Sequence, residues 1–268
     1  MSYRLYADIG NSRLKLAAVT KGRWLPLITV SWEEACEGPP DPEQYLLKHV
    51  MKQLDKQNLA KSECDALVAC TSTTEADDIL DTLRNALQAP LRILGRDLQA
   101  KLESRYNPPE ALGGDRVANA VAAYAEYGGP VIAIDLGSCI TTEVISAEGV
   151  FLGGHIAAGL SALYEGIFQI APQLEAAAEE DPQEASLPLG TSTSMALKMG
   201  VHLQLGATLD LLIAACRQAL DDEGALVVMT GGDAESMAES TQDEAVVVDT
   251  MLTLKGLRLI DEAANPPQ

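Results

Sequence analysis

The chain has 268 residues, enough for one large domain or two of roughly 100–150 residues, and 47% of them are hydrophobic, which supports a substantial core. Its 39 acidic and 19 basic residues give a formal net charge of −20. That excludes a nucleic-acid backbone as the main partner, because counterion release needs a basic surface, so any phosphate site must be local. Five scattered cysteines with no Cys-x-x-Cys pair and three isolated histidines exclude a disulfide framework, a structural zinc site and a Cys/His nucleophile.

No stretch approaches the roughly 20 consecutive apolar residues of a membrane span, and no charged-then-apolar leader opens the chain, so a cytoplasmic protein without a membrane partner is expected. Residues 3–9 and 14–20 read as a hairpin, Gly22 as the next turn, and residues 24–30 as a third strand. Pro39, Pro40 and Pro42 break the chain before a helical stretch over 42–61. The apolar run 66–70 fits a parallel strand buried on both faces. Thr71, Ser72, Thr73 and Thr74 can cap the next helix, with Glu75 and Asp77 favoured in its first turn. Residues 91–94 read as a strand. A proline-stiffened loop from Tyr106 then runs through Gly113, Gly114, Asp115 and Arg116 into an Ala-rich helix that ends at Gly128 and Gly129.

A second half restarts at Val131 with strand, Asp-Leu-Gly turn, strand and turn. A glycine segment over 153–159, a helix over 160–170 and an acidic helix-loop segment over 172–188 follow. Residues 192–216 have long helical periodicity. Residues 226–229 form a buried strand entering Thr230, Gly231 and Gly232; 246–248 is a last apolar strand, and 252–264 a closing helix. The two halves repeat at an offset of 127 residues: Asp8 matches Asp135, Gly10 matches Gly137, and Gly22 matches Gly149. Sheet-opened halves with helical inserts predict an α/β architecture in two lobes. A duplicated Asp-x-Gly turn suits a phosphate clamp, since glycine lets backbone N–H groups approach anionic oxygens and the carboxylate can meet a phosphate-bound cation.

The chemistry-bearing residues fall into four groups. Asn11, Ser12 and the amides of residues 10–12 can grip phosphate oxygens, while Arg13 and Lys15 share a strand face and can neutralise charge; an ordinary surface hairpin is the competing reading. At 113–116 the two glycines admit a ligand, the helix N-terminus attracts an anion, Arg116 can fork onto a carboxylate, and Asp115 either accepts a hydroxyl proton or only caps the helix. Asp135 with Ser138 forms the second turn. Gly231 and Gly232, after a strand, admit a flat base or ribose; on their own they are a common turn. No Walker loop is present.

In this order and spacing, residues 8–15 (Asp8, Ile9, Gly10, Asn11, Ser12, Arg13, Leu14, Lys15), Tyr106 with Leu112 and 113–116, residues 135–138, 153–159 and 190–193, and 230–232 resemble the bacterial type III pantothenate kinases. These belong to the acetate and sugar kinase, Hsc70 and actin superfamily. The resemblance implies two similar actin-like (ribonuclease H-like) lobes, 1–128 and 129–268, with a nucleotide cleft between them. It implies ATP-dependent phosphorylation of pantothenate at its primary hydroxyl, the first step towards coenzyme A, with Mg²⁺ and a monovalent cation, K⁺ or NH₄⁺. By analogy residues 8–15 form the first phosphate loop, Asp135 binds the monovalent cation, and Ser138 contacts ATP. Tyr106, Gly113, Gly114, Asp115 and Arg116 resemble the pantothenate pocket, with Asp115 as proton acceptor. Thr193 resembles a threonine that reaches the substrate across the interface of a homodimer.

The chain departs from the family's Asp-x-Gly-Thr-Ala-x-Thr-x-Asp pattern at Ser138, Cys139 and Glu143, and has Ala158 where proline is usual. Ser138 keeps the hydroxyl, and Glu143 keeps the charge one methylene further out. Two other readings stay open from the sequence: a nucleotide- or pantothenate-binding accessory protein without turnover, and a kinase of another small hydroxy acid.

Overall fold

In chain order the computed structural model, which describes residues 2–31, 42–71, 76–178, 189–243 and 245–266, runs β1 (Tyr3–Ile9), β2 (Arg13–Thr20), β3 (Arg23–Ser31), α1 (Pro42–Lys56), β4 (Cys64–Thr71), α2 (Ala76–Leu87), β5 (Leu91–Ile93) and α3 (Gly114–Tyr127). It continues with β6 (Val131–Leu136), β7 (Cys139–Ile145), β8 (Phe151–Gly153), β9 (Ile156–Ala158), α4 (Leu160–Ile170), α5 (Thr193–Leu220), β10 (Leu226–Gly231), α6 (Ala234–Ala238), β11 (Val246–Val248) and α7 (Leu252–Ala264). The expected cap at 72–74 and most of the acidic segment, 179–188, lie outside the described residues.

Two sheets repeat one topology. The first has the order β3-β2-β1-β4-β5, with β1, β2 and β3 antiparallel and β4 and β5 parallel to β1. The second has the order β11-β10-β6-β7-β8, with β9 also paired to β7. Here β6, β7 and β8 take the places of β1, β2 and β3, and the parallel strands β10 and β11 those of β4 and β5. The sequence repeat is therefore a duplicated sheet.

Strand β1 is not a clean alternation of apolar and polar residues, because helices cover both faces of its sheet. Leu5, Ala7 and Ile9 point into a core with Leu46, Val50 and Leu54 of α1 and Leu80 and Leu83 of α2. Tyr6 faces the other way, with Val68 and Cys70 of β4, Ala118 of α3, and Leu254 and Leu257 of α7. In the second sheet Ile132, Ile134, Ile140, Val144, Val227 and Met229 pack on Val201, Leu205, Leu209 and Ile213 of α5.

Packing divides the chain into one unit of residues 1–126 and 251–268 and another of residues 127–250. The sequence expectation gave 129–268 to the second lobe, whereas α7 packs on β1 and β4 of the first unit. Its apolar stripe needs a sheet face, and Asp261, fully buried on the same helix, accepts hydrogen bonds from Arg4 and Arg92 at 2.8 Å each and from Tyr6 at 3.2 Å. Gly256 lies so close to the Ala118 carbonyl that a Cβ there would collide with it. Among the described residues one helix, α5, is long and apolar enough by composition to cross a membrane; one flank of it is the wall of the second core.

Candidate functional site

The first Asp-x-Gly turn stands at the end of β1. Asp8 lies directly opposite Lys15 on β2 and Cys70 on β4. Side chains alternate along a strand, so Asp8, Lys15 and Cys70 share the sheet face of Tyr6 and Ala17, the face that α3 covers. Ile9 and Leu14 turn the other way and are fully buried in the α1/α2 core, where they anchor the loop. Four residues, 10–13, bridge them. The N–H of Gly10 donates to the Arg13 carbonyl at 2.9 Å, so this amide, one of the three expected to grip phosphate, closes the turn, and Asn11 and Ser12 form its exposed tip. Arg13 is exposed and Lys15 half-buried.

Cys70 lies between the helix entrance and this turn. Cys70 is fully buried, and its thiol donates to Asp8 Oδ1 at 3.4 Å. Gly114, the first residue of α3, approaches the same cysteine; a Cβ on Gly114 would stand 3.4 Å from the Cys70 Cβ. Asp115 is half-buried in the first turn of α3, and its Oδ1 accepts the Arg116 N–H at 2.8 Å. Gly113 lacks a Cβ that would crowd that oxygen. Arg116 is 5% exposed, and its guanidinium lies 5.5 Å from the centroid of the Tyr106 ring, within cation–π range. Asp8, Tyr106 and 113–116 are thus linked parts of one unit. Cys70 is the residue that sequence reasoning missed; its signal was its place as the last buried position of the parallel strand.

The second turn is built differently. Asp135, half-buried near the end of β6, lies opposite Thr141 on β7 and Thr230 on β10. Only residues 137–139 bridge Leu136 and Ile140, with the Gly137 N–H donating to the Cys139 carbonyl at 3.1 Å. Gly231 has φ +99°, and a Cβ there would press on Asp135 Oδ1 and the Leu136 backbone, so only glycine fits. Gly232 is exposed just beyond it. Ser138 is half-buried, and its carbonyl accepts the Gly159 N–H at 2.9 Å. Thr193 is exposed at the first turn of α5, whose N-terminus Ser192 caps by accepting the Met195 N–H.

The segment 153–159, read as a glycine loop, includes strand β9 and lies along β7 as a strap. Thr142, fully buried, fastens it: its hydroxyl accepts the His155 N–H at 2.8 Å and lies 3.0 Å from His155 Nδ1. Cys216 of α5 lies 3.7 Å from the same ring nitrogen, and burial pushes its thiol up. At the far end Gly159 rests on Gly137 and Ser138 with no room for a side chain.

Glu143 is fully buried on β7, in the strand phase of Asp135 and Thr141 rather than of Thr142. The Thr230 hydroxyl is buried with no hydrogen-bond partner, in register with Asp135. A carboxylate, a hydroxyl awaiting a partner and a glycine cradle are an all-oxygen set that suits a hard monovalent cation. Among the described residues no group of three or more His, Cys, Asp and Glu gathers as a metal cluster, and Cys64, Cys70, Cys139 and Cys216 are all free thiols.

The chain matches the family model of the type III pantothenate kinases over residues 4–215. A type III pantothenate kinase of Akkermansia muciniphila is 32% identical over 220 residues, 81% of this chain and 88% of that one. Another, from Roseiflexus sp. strain RS-1, is 29% identical over 260 residues, 96% and 98% of the two chains. Among solved structures, a conserved Baf-family protein from Campylobacter jejuni superposes with a TM-score of 0.55 at 20% identity, covering 97% of this chain and 98% of its own. An inorganic polyphosphate/ATP-glucomannokinase from Arthrobacter sp. strain KM gives 0.51 at 16% identity, with 98% and 100% covered. At such identities these likenesses speak for the actin-like fold alone. The sequence relatives and the matched model go further: the chain belongs to the type III pantothenate kinases, which phosphorylate pantothenate with ATP at the start of coenzyme A biosynthesis.

Proposed function

We propose that this chain transfers the γ-phosphoryl group of ATP to the primary hydroxyl of pantothenate with Asp115 as the proton acceptor. The observation that supports the reading is the linkage of Asp8 to the α3 N-terminus through Cys70, which brings the first Asp-x-Gly turn beside a helix entrance holding a carboxylate and a buried arginine. Asp115 takes the hydroxyl proton, the freed oxygen bonds to the γ-phosphorus, and the bond from that phosphorus to the bridging oxygen of ADP breaks. Such transfer needs positioning and charge stabilisation more than covalent participation. Residues 8–15 hold the terminal phosphates, with Lys15 on the developing charge and the Asp8 carboxylate towards Mg²⁺. Ser138 contacts ATP, and Gly231 and Gly232 give bare backbone to the nucleoside. Tyr106, Gly113, Gly114 and Arg116 receive pantothenate, whose carboxylate suits a guanidinium held under an aromatic ring.

A monovalent cation, K⁺ or NH₄⁺, fits at Asp135; the buried Thr230 hydroxyl in register with it supports that role. Bound there, the cation would supply positive charge close to the ATP phosphates. A homodimer is part of the proposal, with Thr193 reaching the partner's substrate. Its support is the outer side of α5, where Leu203 and Leu211 are 76% and 72% exposed, with Gly200 and Ala207 at helical spacing between and before them. Sedimentation at the mass of a single chain would remove the dimer. A cytoplasmic enzyme follows from its ATP requirement.

The test is direct. Purified chain with ATP, Mg²⁺ and K⁺ is expected to form phosphopantothenate, and Asp115→Asn to lower kcat by about 10²–10⁴-fold. Calorimetric binding of nucleotide without ADP release would select the accessory-protein reading instead. ADP release with other hydroxy acids but not pantothenate would move the substrate.

A further inference from the structure

We propose that Cys70 is a positioning residue of the phosphoryl-transfer site: its thiol sets the Asp8 carboxylate while its β-carbon seats the first turn of α3. The inference rests on the kinase reading and adds to it a side chain outside every motif that carries the resemblance.

Cys70 is the penultimate residue of β4, in parallel register with Asp8. Period-two alternation puts its side chain and that of Asp8 on one face of the sheet, and the hydrogen bond of 3.4 Å from Sγ to Oδ1 follows from that register. The cysteine is fully buried, while the Asp8 carboxylate that it holds is half-buried. Gly114 lies close by: a Cβ placed there would stand 3.4 Å from the Cys70 Cβ, an ordinary van der Waals contact. Val68, two residues earlier on β4, and Ala118, four residues further along α3, continue the same packed seam. One side chain therefore fixes two reacting partners relative to each other: the turn that receives the phosphates and the helix that presents Asp115. Transfer depends on aligning those two groups, and a displacement of about 1 Å can cost two orders of magnitude in rate.

A thiol suits the task. It is a weak donor, so it orients Asp8 without withdrawing much charge from a carboxylate that would meet a phosphate-bound cation. It also fills more space than a hydroxyl beneath the helix.

Cys70→Ser and Cys70→Ala test this, because both remove the bulk of the sulfur while only serine keeps a donor at the γ position. Parent and variants are compared by coupled ADP release for kcat and for the KM of each substrate, with thermal unfolding as the control for folding. Cys70→Ala is expected to lower kcat roughly tenfold, the worth of one hydrogen bond to a charged group, with the KM for pantothenate within about twofold. Cys70→Ser is expected to recover most of kcat while showing the same thermal shift as Cys70→Ala. Equal kcat in the two variants, whether both fall or neither does, overturns the proposal, since packing alone would then account for the site. A parent protein without phosphopantothenate formation sinks the kinase reading separately. The positioning claim is then read from calorimetry with the non-hydrolysable ATP analogue AMP-PNP and Mg²⁺: weaker binding in Cys70→Ala than in Cys70→Ser supports it, and equal binding overturns it.

Discussion

The two Asp-x-Gly turns occupy the same place in two sheets of the same strand order, yet they are held by different elements. The first is a four-residue loop braced beneath by Cys70 and the N-terminus of α3. The second is a three-residue loop braced by Gly159 of the strap and by Gly231. The missing residue has a consequence for every position beyond it. By the sequence offset of 127, Lys15 corresponds to Thr142, but across the sheet Asp8 faces Lys15 while Asp135 faces Thr141. A slip of one residue exchanges the two faces of a strand. Thr142 therefore fastens the strap on the α5 side, and Thr141 and Glu143 take the strand phase of Asp135. The duplication kept the carboxylate and changed both its neighbours, from Cys70 to Thr230 on the parallel strand and from a base to a hydroxyl across the hairpin.

The largest effect that tests this division is on rate. Lys15→Met is expected to lower kcat by about 10²–10³-fold, the scale of one lost group that stabilises developing charge. Thr141→Val, at the equivalent sheet position, is expected to cost less than about tenfold, the scale of one neutral hydrogen bond. Coupled ADP release at saturating substrates measures both. Equal losses would mean that the two turns are not functionally divided.

Next in size is a contrast in stability among three glycines. Gly159→Ala and Gly231→Ala each drive a methyl group into backbone of the second turn and are expected to lose about 1–3 kcal/mol. Gly10→Ala meets only the Arg13 carbonyl at an ordinary 3.5 Å. It is expected to leave stability unchanged or raise it by up to about 1 kcal/mol, through the reduced entropy of the unfolded chain. Urea midpoints rank the three, and a first turn as intolerant as the second would end the idea that they are braced differently.

Much of this was legible in the residues. The hairpin at 3–20, the restart at Val131 and the helices at 160–170 and 252–264 stand where apolar runs and glycine turns put them. The residues at 113–116 do open a helix. What escaped notice depends on pairing between distant strands. No local pattern marks Cys70 as the neighbour of Asp8, because that contact spans 62 residues and exists only once β1 and β4 are in register. The strap escaped for a similar reason: 153–159 has the composition of a loop, and 156–158 become a strand only by pairing with 139–141 of β7, with Thr142 holding His155 just before them. The packing of α7 on the first unit was hidden too, since its Asp261 finds Arg4 and Arg92 far away in sequence.

The smallest effect compares buried thiols in the two units. Burial is the leading cause that pushes Cys64, at the start of β4, up to about 12, with Asp65 adding to it. Burial also raises Cys216 under the strap, with Glu143 adding to it and the Thr142 hydrogen bond opposing it. An ordinary thiol titrates near 8.5. Between that value and the raised one the folded chain keeps a proton that the unfolded chain has lost, so each thiol's contribution to stability is complete below about pH 8.5 and declines as pH rises through the folded value. Urea unfolding at pH 7.5, 9 and 10.5 is expected to show falling stability in the parent and a shallower decline in both Cys64→Ala and Cys216→Ala. Tyr3, beside Cys64 and itself raised chiefly by burial, keeps part of the slope in Cys64→Ala. The variants should then part on activity. Cys216→Ala removes a neighbour of His155 and weakens the hold on the second turn, raising the KM for ATP, while Cys64→Ala, six residues before Cys70 at the opposite end of β4, leaves that KM as it was. An unchanged slope in Cys64→Ala would assign the alkaline loss to other groups, and an unchanged KM in Cys216→Ala would mean that the strap holds the second turn without help from α5.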